Sequence, residues 1–195
     1  VRRLSSSLGR DPGTELRILI APSLTGHLLP LALQRLRRRY KQTPISVRTE
    51  HSRDIAQAIA LREADVGIAY GSHPHPAISE TPVAVGRLVC VRERMKPPRT
   101  SITLAELADQ PVIRLHHKDP LGFVLADAAS RLGIEFTGGI TVQTYQTALS
   151  LAEYGFGPAL IDEFTAANHR DERLHRYRLE PEIPVHLVAL RPSAA

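Results

Sequence analysis

The chain has no tryptophan, one cysteine and one methionine in 195 residues. A single thiol, Cys90, excludes an internal disulfide and leaves no cysteine-based zinc site. No apolar run approaches the roughly 18 residues that a membrane span needs. The opening residues, Val1-Arg2-Arg3-Leu4-Ser5-Ser6-Ser7, lack the apolar stretch of a secretory leader. These absences place the expected protein in the cytoplasm, with no membrane partner. Hydrophobic residues make up 43% and charged residues 23%, so the chain can bury a core and is not disordered. Its length suits one α/β domain or two small lobes.

Lysine is also scarce: only Lys41, Lys96 and Lys118 stand among 25 basic residues. The formal net charge of +5 invites a nucleic-acid reading, but arginine is spread along the chain rather than gathered on one face. The exception is Arg35-Leu36-Arg37-Arg38-Arg39-Tyr40-Lys41. Its arginines fit the solvated face at a helix C-terminus, where cations suit the dipole, with Leu36 and Tyr40 turned to the core. Contact with DNA phosphate is the alternative, weakened because recognition normally presents a helix N-terminus or a whole helix to the groove.

After a Ser, Gly and Pro-containing segment to about Gly13, read as a linker tail over 1–14, strands and helices alternate. Leu16–Ala21 is a short apolar strand. Leu28, Leu29, Ala32, Leu33, Leu36 and Tyr40 then mark one face of a helix whose start, with Pro30 inside it, should be irregular. Ile45–Thr49 is a strand, Ser52 caps a helix with Ile55, Ala58 and Ile59 inward, and Asp65–Ala69 is a third strand. This β-α-β-α-β order builds a parallel sheet.

Val83–Val91 is a strand long enough to pass between lobes. A capping box at Thr103 and Glu106 follows, then a strand over 111–115 and a helix from Asp119-Pro120 to Gly133. Further strands fall at Ile140–Val142, Pro158–Ile161 and Val185–Leu190. A helix opens at Thr144 and ends at Gly155, and Asp162 caps another. The expected architecture is α/β with two Rossmann-like lobes: 15–82 in the first, 83–160 in the second, and 161–195 returning to the first. Two crossings make a hinge with a cleft between the lobes.

Ligands of open α/β sheets bind beyond the carboxyl ends of strands, where helices begin. Four helix starts should converge there, near Ser23 and Thr25, near Ser52, near Asp119 and near Thr144. Helix N-termini expose unpaired N–H groups and partial positive charge, so they suit a small carboxylate or similar oxyanion. Ser23, Thr25, Ser52 and Thr144 would add hydroxyls, and Gln146 an amide. The plainer reading makes all these hydroxyls helix caps. An amino-acid ligand needs an acidic partner for its ammonium group, and Asp119 or Glu50 could serve, though a cap and a solvated strand end explain both.

Neither metal nor catalysis is expected. His116 and His117, adjacent in a strand, should point to opposite faces, and His73 and His75 lack a third ligand. His116 alone suits the cleft. The Gly-x-Ser-x-Gly elbow, the phosphate-binding Gly-Lys-Ser/Thr loop and Gly-x-Gly-x-x-Gly are all missing. Cys90 reads as inert core. A Ser23–His27 pair would have no matching acid. No cofactor is implied.

Taken in order, Leu16-Arg17-Ile18, Ala21-Pro22-Ser23-Leu24, Leu28-Leu29-Pro30, Asp65–Ala69, Val89-Cys90-Val91, Ala148–Leu151 and Gly155–Leu160 resemble the effector-binding domain of LysR-type transcription regulators. The resemblance runs from about Glu15 to Pro192, with Glu63 and Pro158 departing from the usual Gly and small aliphatic residue. It implies a periplasmic-binding-protein type II-like fold and a small-molecule effector, amino-acid- or opine-like by the segment Val142 to Ala167. The implied effector contacts are the Ser23-Leu24-Thr25 turn, Ser52, the strand end at Leu115-His116, and Thr144 to Gln146. It further implies a homodimer joining the helix over 29–40 to the helix over 121–132 of the partner, a tetramer in the full-length protein, and DNA contact only through an N-terminal winged helix-turn-helix absent from this chain. The chain would then be a fragment, with Val1–Leu4 ending a linker helix. A stand-alone solute-binding protein and an enzyme on the same fold are the rival expectations.

Overall fold

The computed structural model describes residues 15–26 and 28–193. The linker tail expected over 1–14, and His27 of the expected Ser–His pair, lie outside the described residues. The first sheet opens on β1 (Leu16–Ile20), flanked in parallel by β2 (Ile45–Thr49) and β3 (Val66–Tyr70). Helices α1 (Leu28–Arg39) and α2 (Ser52–Ala60) make the two crossovers. A 3-10 turn at Pro22–Thr25 precedes α1, which leaves Pro30 inside the first turn of that helix, where its missing N–H costs nothing.

The 16-residue β4 (Ile78–Glu93) belongs to both sheets. From Ile78 to Arg87 it pairs antiparallel with the final strand β10 (Pro184–Pro192), which itself lies against β3. From Leu88 onward it pairs with β8 (Ala159–Asp162) and β9 (Leu174–Glu180). The second sheet is completed by β5 (Ser101–Thr103) beside β9, and by β6 (Ile113–Leu115) and β7 (Ile140–Val142) beyond β8. Helices α3 (Leu104–Leu107), α4 (Pro120–Arg131), α5 (Tyr145–Glu153) and α6 (Glu163–Ala166) belong with this second lobe.

The pairing differs from the sequence reading in where the chain changes sheet. The reading put the crossings near Val83 and Leu160; the switch falls between Arg87 and Leu88, and 174–180 remain in the second sheet before the return to β10. The pattern hid β9 because LHRYRLE alternates charge with apolar residues only loosely: Tyr177 and Leu179 are buried on one face and Leu174 on the other.

Helix α1 also departs from expectation. Its apolar stripe does not enter the core: no α1 residue is buried, only Leu28 and Leu29 pack against the core edge, and Leu36 and Tyr40 are half-buried outside it. Helix α2 behaves as its spacing predicts, with Ile55, Ala58 and Ile59 buried. The capping box forms as read, the Thr103 side chain accepting from the Glu106 N–H while Glu106 accepts from the Thr103 N–H. The helix ending at Gly133 is confirmed as well, with that residue at φ +65°.

One close approach sets where α4 starts. A methyl group at Gly122 would run into the carbonyl oxygen of His116, a backbone atom with no freedom to yield. Gly122→Ala is therefore expected to lower stability by about 1–3 kcal/mol, the usual cost of overpacking, read as a lower midpoint in urea unfolding. An unchanged midpoint would show that α4 has slack against β6.

Candidate functional site

The carboxyl end of β3 brings Tyr70 to the seam between the lobes, where its side chain is 1% exposed. Its hydroxyl lies 2.9 Å from Ser23 Oγ on the 3-10 turn and also interacts with the Asp162 carboxylate of the second lobe. Its own backbone N–H donates to Ser52 Oγ at 3.0 Å.

Across the seam stands Tyr145, the first residue of α5, with its ring 5.8 Å from that of Tyr70. The Tyr145 hydroxyl donates to Asp119 Oδ1 at 2.6 Å. The same oxygen caps α4 by accepting from the Leu121 N–H at 2.9 Å. Asp162, wholly buried, caps α6 by accepting from the N–H groups of Phe164 and Thr165 and from the Thr165 hydroxyl. The seam therefore gathers the starts of the 3-10 turn, α2, α4, α5 and α6 around two phenols and two carboxylates.

Burial sets the electrostatics. It pushes both phenols well above their ordinary range, with Asp162 and Asp119 adding repulsion against a phenolate, so Tyr70 and Tyr145 are neutral hydrogen-bond donors. Burial also raises the Asp162 carboxyl, against the hydrogen bonds from Thr165 and Phe164 that favour its charge.

Of the residues read from sequence, Ser23 is buried in this network and Leu24 is packed in the core beside it. Thr25 turns back on its own loop, donating to the Pro22 carbonyl at 2.7 Å. Ser52 is not a cap: His51 occupies that position, and the Ser52 hydroxyl instead holds the backbone of Tyr70. Thr144 does cap α5, accepting from the Thr147 N–H at 3.2 Å, and Gln146 next to Tyr145 is exposed. All four hydroxyls thus have protein partners.

Leu115 and His116 go elsewhere. They line a cavity of about 400 Å³ within the second lobe, with Leu125 and Phe136 on its apolar wall. The rings of His116 and His117 are neighbours, 4.2 Å apart, rather than on opposite faces, because β6 ends at Leu115 and both residues lie in the turn beyond it. Among the described residues no three potential ligands are placed to hold a metal ion. Glu50 is paired with Arg48 at 3.5 Å. Buried Cys90 is pushed up to about 12 by its surroundings, which makes it a poor nucleophile.

The sequence reading missed Tyr70, Tyr145 and Asp162 as a group. A signal was present: tyrosine is rare here, and Tyr70 stands at the carboxyl end of a strand while Tyr145 opens a helix.

Two α/β lobes joined by strand crossings, with helix starts meeting at their seam, define the class of two-lobed ligand-binding domains. The family model described as the LysR substrate binding domain matches residues 9–195, and the chain belongs to that family. The HTH-type transcriptional regulator DgcR of Pseudoalteromonas sp is 24% identical over 192 residues, 97% of this chain. This chain spans 66% of that regulator's length. Among solved structures, the cofactor-binding domain of the Cbl transcriptional regulator has a TM-score of 0.84 at 18% identity, covering 95% of this chain and 83% of that one. The BenM effector binding domain, solved with its effector benzoate, has a TM-score of 0.80 at 21% identity, covering 93% and 84%. These likenesses confirm the periplasmic-binding-protein type II-like fold.

The Asp162 shift has a signed consequence. In the unfolded chain an aspartate releases its proton near pH 4, whereas folded Asp162 retains it to higher pH. The native state then binds more protons over that interval, so stability falls as pH rises from about 4 through the raised value. Asp162→Asn should flatten this part of the profile in urea unfolding measured from pH 4 to 7. Parallel profiles for the two proteins would contradict it.

Proposed function

We propose that this domain senses a small carboxylate bearing an ammonium group, an amino acid or an opine, at the seam between its lobes. The convergence of Ser23, Tyr70, Tyr145, Asp119 and Asp162 carries the reading. Asp119 spends one oxygen on the α4 cap and the Tyr145 hydroxyl, and its charge suits an ammonium group. The first N–H groups of α5, those of Tyr145 and Gln146, have no partner within their own helix and suit the effector carboxylate. Thr144, Gln146 and Thr25 border that position. The benzoate held by BenM is a carboxylate too, which agrees with this class of ligand.

Binding would favour one relation of the lobes over another, which requires only a difference in affinity between the two. In a full-length regulator that shift would reach DNA through an N-terminal winged helix-turn-helix, in the cytoplasm and without catalysis. Pairing with a second copy through α1 and α4 fits the same reading. No α1 residue is buried, Leu31 is 44% exposed, and α4 presents Phe123 at 64%. A tetramer would follow in the full-length protein.

A thermal-shift screen against amino acids, opines, aromatic carboxylates and inorganic oxyanions tests the assignment. A ligand at 100 times its Kd adds about 2.7 kcal/mol. For a chain of this length that amounts to roughly 5–10 °C in Tm. Amino acids or opines should give the shift, and Asp119→Asn should weaken binding about tenfold or more, as expected for a lost charge-assisted contact of at least 1.4 kcal/mol. An aromatic acid without an amine giving the larger shift, or an Asp119→Asn variant binding as tightly as the parent, would overturn the ammonium assignment.

A further inference from the structure

The loop from α6 to β9 and the end of β4 enclose an open cavity of about 680 Å³. Three arginines, Arg94, Arg170 and Arg176, and two imidazoles, His169 and His175, line it. None of the three arginines forms an ion pair among the described residues. Arg94 spends its Nε on the Glu172 backbone carbonyl, a neutral partner, at 3.3 Å. Of the two acids on the rim, Asp171 is already neutralised: Arg173 grips it with Nη2 at 2.6 Å and Nε at 3.0 Å. That leaves Glu172 against three fixed positive charges.

The imidazoles feel this excess. His175 sits edge-on to Tyr177, 4.9 Å away, and is held below its ordinary range by partial burial and then by Arg94, Arg176 and His169. His169 lies with Nδ1 2.6 Å from the Ala166 carbonyl, which fixes its proton there and leaves Nε2 as the free nitrogen. A site where three guanidinium groups face a single carboxylate, Glu172, that is not taken by Arg173 keeps an excess of positive charge, which an anion would balance. Guanidinium forks match the oxygens of a phosphate group in particular. The cluster also lies apart from the seam: Arg94, just past the end of β4, is six residues from Leu88, which pairs with Asp162, or about 20 Å at strand spacing.

We propose that this cavity is a second ligand site, for a compact anion carrying adjacent phosphates, such as a diphosphate or a nucleoside polyphosphate. Its cations gather around one open depression rather than along a stripe of the surface, which favours a small molecule over a duplex. The inference does not rest on the ligand assigned to the seam.

Isothermal titration of the 195-residue chain with inorganic pyrophosphate at low salt tests it. Binding should be saturable, and Arg94→Ala with Arg176→Ala should weaken it at least tenfold while urea midpoints hold. Arg37→Ala with Arg38→Ala, on exposed α1, should leave it unchanged, as should Asp119→Asn at the seam. NMR should report a rise in the His175 pKa on binding, a signature that a purely structural role for the arginines would not produce. Failure to saturate, or equal loss from the α1 variant, would overturn the site and indicate general charge screening. Tighter binding of a DNA duplex, lost in the Arg94 and Arg176 variant, would overturn the small-ligand assignment in favour of nucleic acid.

Discussion

The fold of this domain turns on one buried hydroxyl. Tyr70 ends the last parallel strand of the first lobe, yet its hydroxyl feels the charge of Asp162, which pairs with Leu88 in the second sheet and caps α6. Ser23 and Ser52 then fix the phenol oxygen and the backbone of the same residue. An unpaired buried hydroxyl or carboxylate costs several times what a formed hydrogen bond gains, so these groups hold the lobes in the register that satisfies all of them. Tyr145 and Asp119 extend the network along the second lobe.

That arrangement bears on the ligand proposed for the seam. A pocket of free hydroxyls and helix starts would be a general anion site. Here the four hydroxyls are engaged, and the seam carries two carboxylates with two neutral phenols. Bare inorganic oxyanions would meet Asp119 and Asp162 as repulsion. Under the proposed assignment a zwitterion would escape that penalty, its ammonium group meeting Asp119 and its own carboxylate the start of α5.

The alternation of strand and helix was legible because it depends on local patterns: apolar runs in β1 and β3, the Thr103–Glu106 box, and the Asp119-Pro120 start of α4. Strand β9 was not, since its arginines and histidine break the period by which a half-buried strand is read. The α1 stripe misled for a different reason. Helical spacing reports an apolar face without saying what covers it, and Leu33 and Leu36 have no core beneath them. Within the site, Ser23 and Asp119 were legible as cap-type residues at helix starts. Tyr70 and Asp162 were not, because they are 92 residues apart in sequence and only the folded seam makes them neighbours.

The central claim is that Tyr70 and Asp162 couple the two lobes. A double-mutant cycle on Tyr70→Phe and Asp162→Ala, read by urea unfolding of each single variant and the pair, tests it most directly. The account predicts a coupling energy of about 0.5–3 kcal/mol, the range for residues sharing a buried hydrogen-bond network. Effects that add to within about 0.3 kcal/mol would show that the lobes are held together elsewhere.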